Sequence, residues 1–110
     1  INTTTPNSTF DLVGSTGPGA ITSVSANTTL DDTNYVVLVD ATAAPRTITL
    51  PAVSGVTRRQ YVVKKTDSSA NAVTIQANGA EVIDGSNTQT LVVQYESLHI
   101  VSDGTAWFIV

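Results

Sequence analysis

Ser102-Asp103-Gly104-Thr105-Ala106-Trp107-Phe108-Ile109-Val110 sets a turn tripeptide, Ser-Asp-Gly, ahead of a short apolar run, and the same unit recurs back along the chain. Upstream lie Ser97-Leu-His-Ile-Val101, Thr90-Leu-Val-Val93, Ala72-Val-Thr-Ile-Gln76, Tyr61-Val-Val-Lys-Lys65, Thr47-Ile-Thr-Leu50 and Tyr35-Val-Val-Leu-Val39. Each run is bounded by Gly, Pro, Asn, Asp or Ser, and turn signals return every eight to twelve residues. That spacing predicts an antiparallel sandwich or barrel rather than strands alternating with crossover helices.

Composition agrees. The 110 residues include 15 Val and 18 Thr but only two Glu, two Lys and no Met, a bias toward β-branched side chains and away from helix formers. One domain fits the length. With no cysteine, disulfides, thiolate metal sites and cysteine nucleophiles are excluded together. No apolar run nears the roughly 20 residues of a helical membrane span, so neither a membrane nor a targeting segment is expected, and a soluble protein is. Ile1 in place of an initiator Met suggests a chain that is processed, trimmed or a fragment.

Turn chemistry refines the strand boundaries. Asn78-Gly79, Asp84-Gly85 and Asp103-Gly104 tolerate the positive φ of tight hairpin turns. Pro51 should end the strand at Leu50, and Asp67-Ser-Ser-Ala-Asn71 should join the Tyr61 and Ala72 strands as a hairpin loop. Val36-Val-Leu-Val39, Leu91-Val-Val93 and Trp107-Phe-Ile-Val110 are apolar at successive positions, so both faces of these strands need cover. A second sheet covers one face; the N-terminal arm or a neighbouring subunit must cover the other. Since each fully buried Val or Ile contributes roughly 1.5–3 kcal/mol, a few per chain would drive self-association.

Residues 1–20 differ from the rest. Rich in Thr, Asn, Ser and Gly, with Ile1, Phe10, Leu12 and Val13 as their apolar side chains besides alanine, they predict an extended arm that gains order against a partner. The net charge of −4 hides a second asymmetry: Arg46, Arg58, Arg59, Lys64 and Lys65 fill a stretch that holds no acid. It reads either as a dock for an acidic partner or as a solvated strand pair whose charges meet carboxylates nearby. Nucleic acid is not expected, because its binding modules carry a basic domain charge and interleaved aromatics.

No catalytic set is legible. His99 is the only histidine and sits in an apolar strand, Asp31-Asp32 lacks the calcium loop around it, and Gly-x-Ser-x-Gly, phosphate loops and dinucleotide fingerprints are missing. Neither an enzyme nor a cofactor is expected. Trp107 and Tyr95 could offer flat rings to a sugar, although Trp107 in a terminal apolar strand also suits a core.

Residues 34–110 resemble a small β-domain of bacteriophage virion proteins of the tail-fibre and head-decoration type. The resemblance rests on Tyr35-Val-Val-Leu-Val-Asp-Ala-Thr42, Ile48-Thr-Leu-Pro-Ala52, Tyr61-Val-Val-Lys-Lys65, Asp67-Ser-Ser-Ala-Asn71, Val73-Thr-Ile75, Ile83-Asp-Gly85, Gln94-Tyr-Glu-Ser97 and Val101 to Val110. It implies a non-enzymatic structural part of the virion, a homotrimer that contacts capsid or fibre-shaft proteins, with recognition of a host glycan as the alternative. The expected fold is all-β, a jelly-roll-like antiparallel sandwich or barrel over 21–110 with an extended arm over 1–20. Subunit or virion contacts are expected from Ile1, Phe10, Leu12, Val13, Arg46, Arg58 and Arg59.

Overall fold

A computed structural model describes residues 19–110. Ile1, Phe10, Leu12 and Val13, and most of the expected arm, lie outside the described residues. Nine strands follow in order: β1 (Ala20–Val24), β2 (Thr28–Thr29), β3 (Asn34–Val39), β4 (Arg46–Thr49), β5 (Gln60–Lys65), β6 (Val73–Gln76), β7 (Thr88–Leu91), β8 (Ser97–Ser102) and β9 (Trp107–Ile109). A single 3-10 turn, Val53–Gly55, interrupts them among the described residues. The all-β expectation holds.

The expectation of purely antiparallel pairing does not. The chain winds alternately between two sheets, so that β1, β3 and β5 run parallel in one and β2, β4 and β6 run parallel in the other. Only then does it turn back, with β7 antiparallel to β6, β8 to β5 and β9 to β8. The final orders are β1-β3-β5-β8-β9 and β2-β4-β6-β7, two mixed sheets compatible with a sandwich. Asp67-Ser-Ser-Ala-Asn71 is accordingly no hairpin loop: it carries the chain from β5 in one sheet to β6 in the other.

The core lies between the sheets. Val37, Val39, Tyr61, Val63, Ile100 and Trp107 from the first meet Ile48, Val73, Ile75 and Leu91 from the second, and Leu30, Leu50 and Ile83 join the same cluster from outside the strands. Trp107 and Tyr61 stack at a tilt with ring centroids 5.7 Å apart. The Asp84-Gly85 turn is as expected: both residues have positive φ (50° and 84°), and Ile83 and Ser86 exchange backbone hydrogen bonds across it.

One charged pair is buried with the apolar side chains. Lys65 donates to Asp67 Oδ2 at 2.7 Å, and the same carboxylate accepts from the backbone amides of Ala41 and Ser69 and from the Ser69 hydroxyl. Lys65, then Ser69, hold the Asp67 carboxyl far below the usual carboxylate range. The pair pins the β5–β6 crossing to the loop after β3.

Candidate functional sites

Alternation within the strands of the five-stranded sheet puts one set of side chains in the core and the other on an outer face. Pairing aligns the outer set into rows. Ile21, Val36, Val62 and His99 are successive partners, and the Val110 amide bonds the His99 carbonyl next in line. Ser23, Leu38, Lys64 and Ser97 form a second row, and Gln60, Val101 and Phe108 a third. Ile21 and Val110 are each 70% exposed and Phe108 42%. No carboxylate stands in these rows. Lys64 is their only charge, and its ammonium turns away to the Tyr95 carbonyl at 2.8 Å and over the Tyr95 ring.

Successive apolar residues thus carry the meaning expected of them in β3, where Val37 and Val39 face the core while Val36 and Leu38 face outward. In Leu91-Val-Val93 they do not. Only Leu91 is in a strand; Val92 and Val93 are exposed in a turn where both amides donate to the Glu96 carboxylate. That turn lowers the Glu96 pKa through the same two amides. His99 stands in a strand as expected, half-buried on the outer face with Nε2 3.0 Å from Gln60 Oε1.

The basic stretch does not gather into one patch. Arg46 opens β4 beside Val73, at the end of the sandwich where β5 finishes, and its Nε is buried with no partner among the described residues. Lys65 is in the core, Lys64 is outside, and Arg58 and Arg59 stand together at the end where β5 begins. There they line a cleft of about 490 Å³ with Asp32, Asn34, Tyr35, Thr57 and Gln60.

The cleft is held from below. Tyr61, fully buried, donates its hydroxyl to the Asp31 carbonyl at 2.9 Å and accepts from Arg59 Nη1 at 3.0 Å. Burial, the largest influence, raises the Tyr61 pKa. Asp31 is occupied by its own turn: Oδ1 accepts from the Thr33 hydroxyl and amide, which lower its pKa. Arg58 has φ 70°, with its amide bonded to the Ser102 carbonyl. The sequence named both arginines but not their neighbours; Asp32, Asn34 and Tyr35 lie more than 20 residues earlier and reach them only through the parallel β3–β5 pairing.

Among the described residues no group of three or more His, Asp or Glu is placed to hold a metal ion. Trp107 is fully buried, so it cannot pair with Tyr95, which is 61% exposed, as a platform for sugar. No protein-family model matches the sequence, and no curated protein matches it.

Proposed function

We propose that this chain is a non-enzymatic structural component of a bacteriophage virion, decorating the capsid or forming part of a fibre, and that copies of it associate through the outer face of the five-stranded sheet. The virion assignment follows the resemblance of residues 34–110. The observation that supports assembly is the outer face, whose rows set Ile21, Val36, Val62, Leu38, Val101 and Phe108 among a few uncharged polar side chains and Lys64, with no carboxylate.

The contact must extend beyond the face itself. Five strands about 4.8 Å apart and about six residues long give a face of roughly 400 Å². A standard interface takes about 800 Å² from each partner, so one face-to-face pair supplies about half of it. Exposed Val92, Val93 and Tyr95 beside Lys64 would extend the contact, and the trimer is preferred on the resemblance alone. Residues 1–18 then remain available to hold the assembly on the particle.

Light scattering at micromolar concentration tests the assembly. The expected mass is a multiple of 11.4 kDa, reduced to a single chain by Val62→Lys with circular dichroism unchanged. A wild-type monomer would defeat the self-association and leave residues 1–18 as the cover of the face. Deleting residues 1–18, which stops short of β1, should release the protein from the virion while leaving the domain folded. Retention of the truncated protein at full occupancy would show that the arm is not the anchor.

A further inference from the structure

We infer that the cleft between Arg58, Arg59 and Tyr35 is a binding site for a saccharide bearing a carboxylate. This inference is independent of the virion assignment, since it concerns the opposite use of the surface: a polar end of the sandwich rather than its apolar face.

Three observations carry it. Arg58 and Arg59 form no ion pair with any carboxylate among the described residues, where Lys65–Asp67 is the one such pair. The lining sets two adjacent guanidinium groups against the single carboxylate of Asp32, so in a chain of net charge −4 the cleft keeps a positive charge that one further carboxylate would balance. Arg59 is moreover fixed by Tyr61, so part of its ordering cost is met before any ligand arrives.

Arg58 is also in the wrong place for an ordinary arginine. Among the described residues, three other than glycine have positive φ: Asp84 belongs to the tight Asp84-Gly85 turn, Tyr95 to the Glu96-bound turn, and Arg58 to the rim of this cleft. Asn or Gly would take that backbone with less strain. A strained residue whose long side chain is exposed fits a role outside the fold.

The rest of the lining selects the ligand. Asp32 offers a carboxylate and Gln60 its amide NH2, which can pair with neighbouring hydroxyls, Tyr35 adds a ring at the wall, and Asn34, bonded to the Asp31 amide and the Thr22 hydroxyl, holds the rim in place. Asp32 opposes a doubly charged phosphate more strongly than a single carboxylate. One aromatic wall gives no slot for a stacked base pair. At about 490 Å³ the cleft is within the range of small-molecule sites. A polyhydroxylated ring with one negative charge satisfies all of these.

Titration of the full-length, 15N-labelled protein with glucuronate, glucose and inorganic phosphate tests the inference. At ordinary ligand efficiency a monosaccharide of this size binds at about 1 mM. Glucuronate should shift the Arg58 and Arg59 Nε–H and the Gln60 side-chain amide signals, leaving the buried Trp107 indole signal in place. Arg58→Gln should weaken binding about ten-fold, the effect of one charge-assisted hydrogen bond. Because Arg58 is exposed and outside the core, this variant should keep the wild-type melting temperature. Equal binding of glucose would overturn the reading of a carboxylate. Tighter binding of phosphate would reduce the site to a general anion site and overturn the saccharide, and silence of the cleft signals at saturating glucuronate would overturn the site itself.

Discussion

Replacing Tyr61 by Phe keeps the ring against Trp107 and removes one oxygen, which isolates what the hydroxyl does. It makes two hydrogen bonds, one to the Asp31 carbonyl and one from Arg59. The first is neutral and should contribute about 1 kcal/mol; the second involves a charge, but the half-exposed guanidinium regains water when released, so about 0.5–1 kcal/mol is expected from it. The sum, about 1.5–2 kcal/mol, should lower the melting temperature by about 5–10 °C for a domain of this size. Thermal unfolding followed by circular dichroism, at one fixed chain concentration because association contributes to stability, measures it. A double-mutant cycle with Arg59→Ala then apportions the loss. A change below about 1 °C, or Tyr61→Phe and Arg59→Ala effects that simply add, would refute the role of the hydroxyl as the anchor of the cleft.

Asp67→Asn should flatten acid unfolding: the carboxyl is depressed in the folded state, so its stabilisation is complete above the ordinary carboxylate pKa of about 4 and is lost as pH falls below it. Urea midpoints measured from neutral pH down to acid should converge for variant and wild type, and parallel curves would count against the Lys65–Asp67 pair. Gly104→Ala and Gly85→Ala both force a side chain into positive φ, a cost of about 1–2 kcal/mol, but at Gly104 the new Cβ would also lie 2.6 Å from Thr57 Oγ1. Gly104→Ala should therefore be the more destabilising in thermal melts, and Thr57→Ala should bring its cost down to that of Gly85→Ala. Trp107→Ala should cost about 3–5 kcal/mol in denaturant unfolding, and Trp107→Phe much less, since the indole N–H has no acceptor among the described residues.

Strand positions were legible because burial leaves its mark residue by residue. Tyr35–Val39, Tyr61–Lys65 and Ser97–Val101 fall within one residue of β3, β5 and β8, and Asp84-Gly85 makes the turn its dipeptide demands. Strand direction was not legible. An alternating strand looks the same whichever way its partner runs, and the loops 40–45 and 66–72 are short enough to suggest hairpins although each crosses between sheets. Leu91-Val-Val93 misled for a different reason: Glu96, three residues beyond, captures the Val92 and Val93 amides and ends the strand early. The arginines of the cleft stood out by charge, but the company they keep depends on the register of β3 against β5, which no local pattern carries.

The winding of the first six strands also orders events in time. Ile21 pairs with Val36 and Val36 with Val62, while Thr28 pairs with Ile48 and Ile48 with Ile75, so each turn of the coil needs only the turn before it. A chain emerging from the ribosome can lay these turns down in sequence, each closing a loop of modest length. The returning strands cannot start so early: β8 must find β5 more than 30 residues back, and Trp107 fills the space beside Tyr61 only after that. Folding in this order would leave the coil open at the Tyr61 side until β8 and β9 have docked, and the indole acts as a latch set by the last of these strands to pair.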